Sequence, residues 1–173
     1  QCLVGSEMCI RDSIKIEARN VELSEVFSSY DKNLLRKGSG RKGVVSGGVS
    51  FAYTSEVIPG DVPFLKISTP HPFPERLAKE FLENLDEVLV LEELDPVIEK
   101  ELLQIAGKYH LNVNICGKLT HDTKNAGENS VESIRGALAQ FFGFEEAGTK
   151  DPGSLQDEIP QLPVRPPVLL SLI

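Results

Sequence analysis

The sequence predicts an α/β fold: an open, mainly parallel sheet of about four or five strands, with helices on both faces, in a Rossmann-like three-layer sandwich. Short apolar runs alternate with segments of helical period. Glycine or proline closes nearly every segment. The apolar runs are continuous and rich in valine and leucine, as strands covered on both faces require. With 173 residues, 40% of them hydrophobic, one domain with a real core and tails is expected.

The elements follow in order. Residues 14–37 read as a helical lead-in, with Val21, Phe27 and Leu34-Leu35 set among charges, and Gly38-Ser39-Gly40-Arg41-Lys42-Gly43 ends it. Val44-Val45-Ser46 is the first strand, stopped by Gly47-Gly48, and residues 49–58 form a short helix closed by Pro59-Gly60. Pro63-Phe64-Leu65-Lys66-Ile67 is the second strand. Pro74 suits a first helical position, where its missing N–H is harmless. Leu77, Phe81 and Leu85 then line one helical face.

Val88-Leu89-Val90-Leu91 is the third strand, and Asp95-Pro96 offers an N-cap and an N1 proline in the favoured order. Ile98, Leu102 and Ile105 line the helix behind it, with Gly107 as its stop. Residues 111–116 supply a fourth strand. Asn129 and Glu132 have capping-box spacing ahead of a last helix carrying Val131, Ile134, Leu138 and Phe141.

The ends read differently. Gln1 to Ser13 has no secretory pattern, and its periodicity suggests neither helix nor strand. That string resembles translated sequencing-adapter DNA, and residues 170–173 resemble the same read-through on the other side. The expected organisation is therefore 1–13 adapter-derived or disordered, 14–41 helical lead-in and linker, 42–146 the α/β domain, 147–169 a proline-rich linker, and 170–173 adapter-derived.

Composition excludes some functions. A net charge of −8 argues against nucleic acid, and no apolar run approaches the roughly 20 residues of a membrane helix. Cys2, Cys9 and Cys116 form neither a disulfide ladder nor a metal knuckle, so a reducing, cytoplasmic setting is expected. Gly38, Gly40 and Gly43 match a dinucleotide fingerprint in letters only, because they precede a strand instead of following one. His71, His110 and His121 lack metal-ligand spacing and read as surface histidines. Cys116 has no basic neighbour and reads as an inert core thiol.

Six residues remain as candidates at the strands' carboxyl edge, where open α/β sheets bind ligands: Gly47, Gly48, His71, Glu92, Glu93 and Asp95. Gly47-Gly48 serves as a tight turn or as an anion-holding pair of N–H groups. Glu92, Glu93 and Asp95 either cap and charge a helix start or meet a partner domain, a metal or an acid–base task.

Val90-Leu91-Glu92-Glu93-Leu94-Asp95-Pro96-Val97-Ile98-Glu99 resembles the "VEELDPxIE" segment of the large, α subunit of indolepyruvate ferredoxin oxidoreductase. Three further motifs come in the same order. Ser46-Gly47-Gly48-Val49-Ser50-Phe51-Ala52-Tyr53 is similar to "SGVSYxY". Phe64-Leu65-Lys66-Ile67 with Pro72-Phe73-Pro74-Glu75 is similar to "xLKLG…YPLPE". Leu162-Pro163-Val164-Arg165-Pro166-Pro167-Val168-Leu169 is similar to "LPPRPPxL".

The resemblance implies a domain like the transketolase C-terminal domain, within an enzyme that oxidatively decarboxylates aryl 2-oxoacids to acyl-CoA and passes electrons to ferredoxin. It implies thiamine diphosphate, Mg²⁺ and iron–sulfur clusters for the parent enzyme, with a smaller β subunit and the subunit's other domains as partners. The family's "CPGCPH", Gly-Asp-Gly and cysteine-rich cluster motifs have no counterpart in these residues. No catalytic, cofactor or metal ligand is carried over, and this chain alone is expected to fold without catalysing. The alternatives are the equivalent domain of another 2-oxoacid ferredoxin oxidoreductase or transketolase-like enzyme, or a stand-alone flavodoxin-like binding module.

Overall fold

A computed structural model describes residues 5–144, with side chains from residue 12 onward. Residues 1–4, the proline-rich linker assigned to 147–169 and the adapter-like 170–173 lie outside the described residues. The elements are α1 (Gly5–Ser28), β1 (Leu35–Arg36), β2 (Lys42–Gly47), α2 (Gly48–Val57), β3 (Phe64–Ile67), α3 (Glu75–Leu82), β4 (Glu87–Leu91), α4 (Val97–Lys108), β5 (Asn114–Cys116) and α5 (Val131–Phe142).

The strands form one sheet in the order β1-β3-β2-β4-β5, parallel except for β1 against β3. Successive side chains of a strand point to opposite faces. Val45, Val88 and Val90 therefore join Leu65 and Ile67 under α3 and α4. Val44, Leu89 and Leu91 join Phe64 under α2 and α5. Helix cover on both sides explains the continuous apolar strands. Truncating a fully buried residue such as Leu65 or Leu102 to alanine would cost about 2–5 kcal/mol.

The predicted three-layer α/β fold is present, with several local corrections. Residues 5–13, read as neither helix nor strand, belong to α1. After Gly5 no glycine or proline interrupts the chain until Gly38, so a helix held by packing at its far end meets no breaker upstream. That far end stops at Ser28, well short of Lys37. Asn33 turns the chain there: its Nδ2 donates to Phe27 O (2.8 Å) and Thr69 Oγ1 (2.7 Å), and its Oδ1 accepts from Ser68 N (2.7 Å). Leu35-Arg36 thus becomes a two-residue edge strand, not the end of a helix.

Further boundaries move: α3 ends at Leu82, which leaves Leu85 beyond the helix, and α4 runs through Gly107 to Lys108. The run 111–116 pairs only over Asn114–Cys116, because the chain first returns from α4 through Leu111 N to Ala106 O (2.9 Å). The last helix is capped one residue later than Asn129. Ser130 Oγ accepts from Ser133 N, and Ser133 Oγ accepts from Ser130 N, closing a reciprocal capping box. Gly38, Gly40 and Gly43 lie at or before the amino end of β2, where no helix start faces them.

Asn33 is buried and uses both ends of its amide, so Asn33→Ala should lower stability by about 1–3 kcal/mol. Lys32→Ala, which breaks only the exposed pair with Asp31, should stay within about 0.5 kcal/mol. Urea denaturation of both variants checks the difference.

Candidate functional site

The sheet order creates a crevice. From β2 the chain enters α2 on one face, and from neighbouring β4 it enters α4 on the other. Loops that diverge from adjacent parallel strands leave a gap at the carboxyl edge, the usual ligand position in doubly wound folds. Here it is a cleft of about 410 Å³ whose lining includes Gly47, Gly48, Ser50, Glu92, Glu93 and Asp95.

The floor is built by close backbone approach. A Cβ on Gly47 would lie 2.7 Å from Ile98 Cδ1 and 2.9 Å from Ile67 O, so only glycine fits. Gly48 takes φ +58°, turning strand into helix within one residue. α2 starts there without a side-chain cap. Ser46 Oγ donates to Leu91 O (2.9 Å), pinning β2 to β4 beneath the turn.

Glu92 is buried, with both carboxylate oxygens turned back under α4. Oε2 accepts from Ile98 N (2.9 Å) and Oε1 from Glu99 N (3.0 Å). This carboxylate, not Asp95, caps the helix. Pro96 holds the N-cap position without a side-chain bond, and exposed Asp95 pairs with Lys100 Nζ at 3.0 Å. The reversal that brings Glu92 beneath the helix passes through Leu94 at φ +58°. Burial pushes the Glu92 carboxyl above its ordinary range. The N–H groups of Glu99 and Ile98 oppose that shift, Glu99's charge adds to it, and Lys118 opposes it too.

A second buried carboxylate extends the bracing. Glu99 is fully buried in the first turn of α4. Its Oε2 accepts from Lys118 N (2.8 Å), and Leu119 N lies 3.2 and 3.1 Å from its two oxygens. Buried Lys118 sends Nζ back to Leu94 O at 2.9 Å. On the other side Glu93 Oε1 accepts from Asn129 N (2.9 Å), while Asn129 Nδ2 donates to Ser50 Oγ (2.8 Å). The β4–α4 loop is thereby tied to α2, to the start of α5 and to the loop after β5.

Five of the six sequence candidates line this cleft. His71 does not: it faces a separate depression of about 620 Å³ shared with Asn20 and Ser24 of α1 and with Tyr109. The loop after β3 leaves the carboxyl edge and folds down toward α1, where Ser24 Oγ donates to Phe73 O (2.5 Å). Sequence reading missed Glu99, Lys118 and Leu94, and gave Asn129 a cap instead of its bonds to Glu93 and Ser50. A charged residue in a helix or loop carries no local sign that it is buried. Leu94 was legible only as an apolar residue between acids.

The chemistry available is limited. Among the described residues no three His, Cys, Asp or Glu side chains converge to hold a metal ion. The Cys116 thiol is pushed up to about 11 by burial and by Asp122, far from thiolate reactivity at neutral pH. Glu92 has both oxygens committed to backbone N–H groups, which leaves it poorly placed for acid–base work.

No protein-family model matches the chain. It is similar to "Indolepyruvate oxidoreductase subunit IorA" of Methanothermobacter thermautotrophicus, 31% identical over 159 residues, covering 90% of this chain and 24% of that protein. The Methanothermobacter marburgensis protein of that name is 37% identical over 132 residues, 73% of this chain and 20% of that protein. The Archaeoglobus fulgidus one is 29% identical over 155 residues, 86% and 24% respectively. The chain thus spans a fifth to a quarter of the length of these curated relatives. The matches bear out the resemblance carried by the ordered motifs.

Glu92→Ala should destabilise the chain by about 1–3 kcal/mol, since it strips two partners from a buried helix start. Asp95→Ala should stay within about 0.5 kcal/mol. Chemical denaturation of the pair identifies the cap. The raised Glu92 pKa adds a sign: the folded state holds this proton to higher pH than the unfolded state, whose value is near 4.5. Its contribution is therefore greatest in acid and declines as pH rises from there through the folded pKa. That decline should be absent from Glu92→Gln in a stability-versus-pH series.

Proposed function

Because this chain aligns over most of its length with a segment of the indolepyruvate oxidoreductase subunit IorA, we propose that it is the middle, transketolase C-terminal-like domain of such an oxidoreductase. In this reading the whole enzyme decarboxylates aryl 2-oxoacids to acyl-CoA with ferredoxin as electron acceptor. This domain is its scaffold and interface and not its reaction centre.

The observation that carries the reading is the state of the carboxyl edge. In a ligand-binding doubly wound domain, helix-start N–H groups stand ready for an anion. Here Glu92 occupies the start of α4, and the Ser130–Ser133 box occupies that of α5. At α4 and α5 the edge is filled by the chain's own side chains and braced from behind by Glu99 and Lys118, while the start of α2 at Gly48 carries no side-chain cap. Such an edge works as a rigid surface for neighbouring domains more readily than as a receptacle.

The cofactors belong elsewhere in this reading. Thiamine diphosphate supplies the carbanion chemistry of 2-oxoacid decarboxylation when bound. We assign Mg²⁺, thiamine diphosphate and iron–sulfur clusters to other domains of the subunit, since none of the family's ligand motifs maps onto these residues. What these residues do is hold the shape of the surface those domains meet. A smaller β subunit and ferredoxin complete the proposed partners. Among the described residues no helix is long and apolar enough to cross a membrane.

The test is the intact reading frame and the protein it encodes. Beyond Leu169 the frame should continue into Cys-Pro-Gly-Cys-Pro-His. The complete subunit with its smaller partner should reduce ferredoxin given indolepyruvate and CoA. A frame continuing into unrelated sequence, or a complete complex inert to every aryl 2-oxoacid, would sink the reading.

A further inference from the structure

We propose that Leu94 is the docking anchor of this domain, inserted into an apolar socket with a basic rim on the remainder of its own subunit. The proposal rests on the reading of this chain as part of a longer subunit.

Leu94 carries two unfavourable features at once. It is 84% exposed, more than any other large hydrophobic residue described, and its φ of +58° is the left-handed conformation that leucine avoids. Asparagine or glycine would sit there with less strain and no apolar surface in water. Nothing within the described chain covers the side chain.

The conformation is nonetheless fixed from three sides. Lys118 Nζ donates to Leu94 O from a buried position at 2.9 Å. On one side of it Glu92 is clamped to the N–H groups of Ile98 and Glu99, and Glu93 is held by Asn129 N. On the other, Asp95 O accepts from Val97 N at 2.8 Å. A loop braced this thoroughly around an apolar tip presents that tip in one orientation, which lowers the ordering cost of docking. Val49 and Val97, 45% and 39% exposed, stand on the same edge and widen the apolar contact.

The surroundings specify the occupant. Glu93 and Asp95 flank Leu94 directly, and the chain as a whole carries a charge of −8. Asp95 pairs with Lys100 and Glu93 with Asn129 N, yet both carboxylates stay beside Leu94 in an acidic chain, which favours a partner face with basic groups around its pocket over an acidic one. The aligned relatives are four to five times as long as the segment this chain matches. The rest of such a subunit is tethered to this domain and present at high effective concentration, so a modest anchor suffices.

The test compares Leu94→Asn and Leu94→Met in the complete subunit and in this 173-residue chain. Asparagine tolerates the left-handed backbone but removes the apolar anchor, whereas methionine keeps an apolar side chain. In the complete subunit Leu94→Asn should speed limited proteolysis at the domain's linkers by about tenfold or more, with Leu94→Met close to wild type. In the 173-residue chain Leu94→Asn should leave the melting temperature unchanged or higher. Unchanged proteolysis of the complete Leu94→Asn subunit overturns the proposal, as does an equal loss of stability in both contexts. Sedimentation showing that the 173-residue chain dimerises through Leu94 also overturns it, since the occupant would then be a second copy. Proteolysis reads docking without substrate, so a subunit acting on a different oxoacid would defeat the functional reading while leaving this one standing.

Discussion

The Glu92 carboxylate beneath the first turn of α4 is the constraint on which the carboxyl edge depends. Burying a charge is unfavourable unless it is fully hydrogen-bonded. Two backbone N–H groups at a helix start are well suited to that task, since the bonds are charge-assisted and the helix dipole favours the negative group. Once Glu92 is fixed, the direction of α4 relative to β4 is fixed with it. Ile98 then lies so close to Gly47 that the β2–α2 turn admits no side chain there. Helix direction, loop path and the shape of the cleft thus follow from one carboxylate.

A second layer makes this arrangement stiff. Glu99 follows immediately in α4 and binds the loop after β5 through Lys118 N and Leu119 N. Lys118 closes the circuit by returning to Leu94 O. Two buried acids lie close together in this network with one buried lysine, and the mutual repulsion of the acids contributes to the raised Glu92 pKa. The neighbouring N–H groups and the lysine offset it. Removing any member would leave another buried polar group unsatisfied, so the loop behaves as a unit.

The layers of the fold were legible because burial imposes periodicity: Val88-Leu89-Val90-Leu91 has the continuous apolar pattern of a strand covered on both faces. Leu77 and Phe81, four residues apart, share a helix face, although Leu85, read as their third member, lies beyond the end of α3. The caps were less legible. Asp95-Pro96 has the local order of a cap, yet the working cap lies six and seven residues from its partners and reaches them through a left-handed leucine. Asn129 has capping-box spacing, but its side chain is drawn to Ser50 and the box moves to Ser130 and Ser133. Local spacing reports what a residue is able to do, whereas tertiary contacts choose among the options. The edge strand β1 was hidden for the same reason. Leu35-Arg36 pairs with β3 only because Asn33 ends the turn after α1, and a two-residue strand has no period to read.

Five of the six candidate residues converge because they follow neighbouring parallel strands, and topology alone carries them to one edge. His71 also follows a strand, but its loop turns away toward α1 and leaves the cleft. Position in the chain therefore located the site, while the hydrogen bonds changed its meaning. Acidic side chains at the carboxyl edge of a doubly wound sheet suggest a ligand or a metal when read as free groups. Glu92, Glu93 and Asp95 each have a partner in the fold, two of them through backbone N–H groups that a bound anion would otherwise need. Around α4 these bonds commit the acids to the fold, while the start of α2 beside the same cleft stays uncapped. On this edge the residue without a compensating contact is Leu94, and an exposed, left-handed leucine held in place by a buried lysine gains its stabilisation only when another surface covers it.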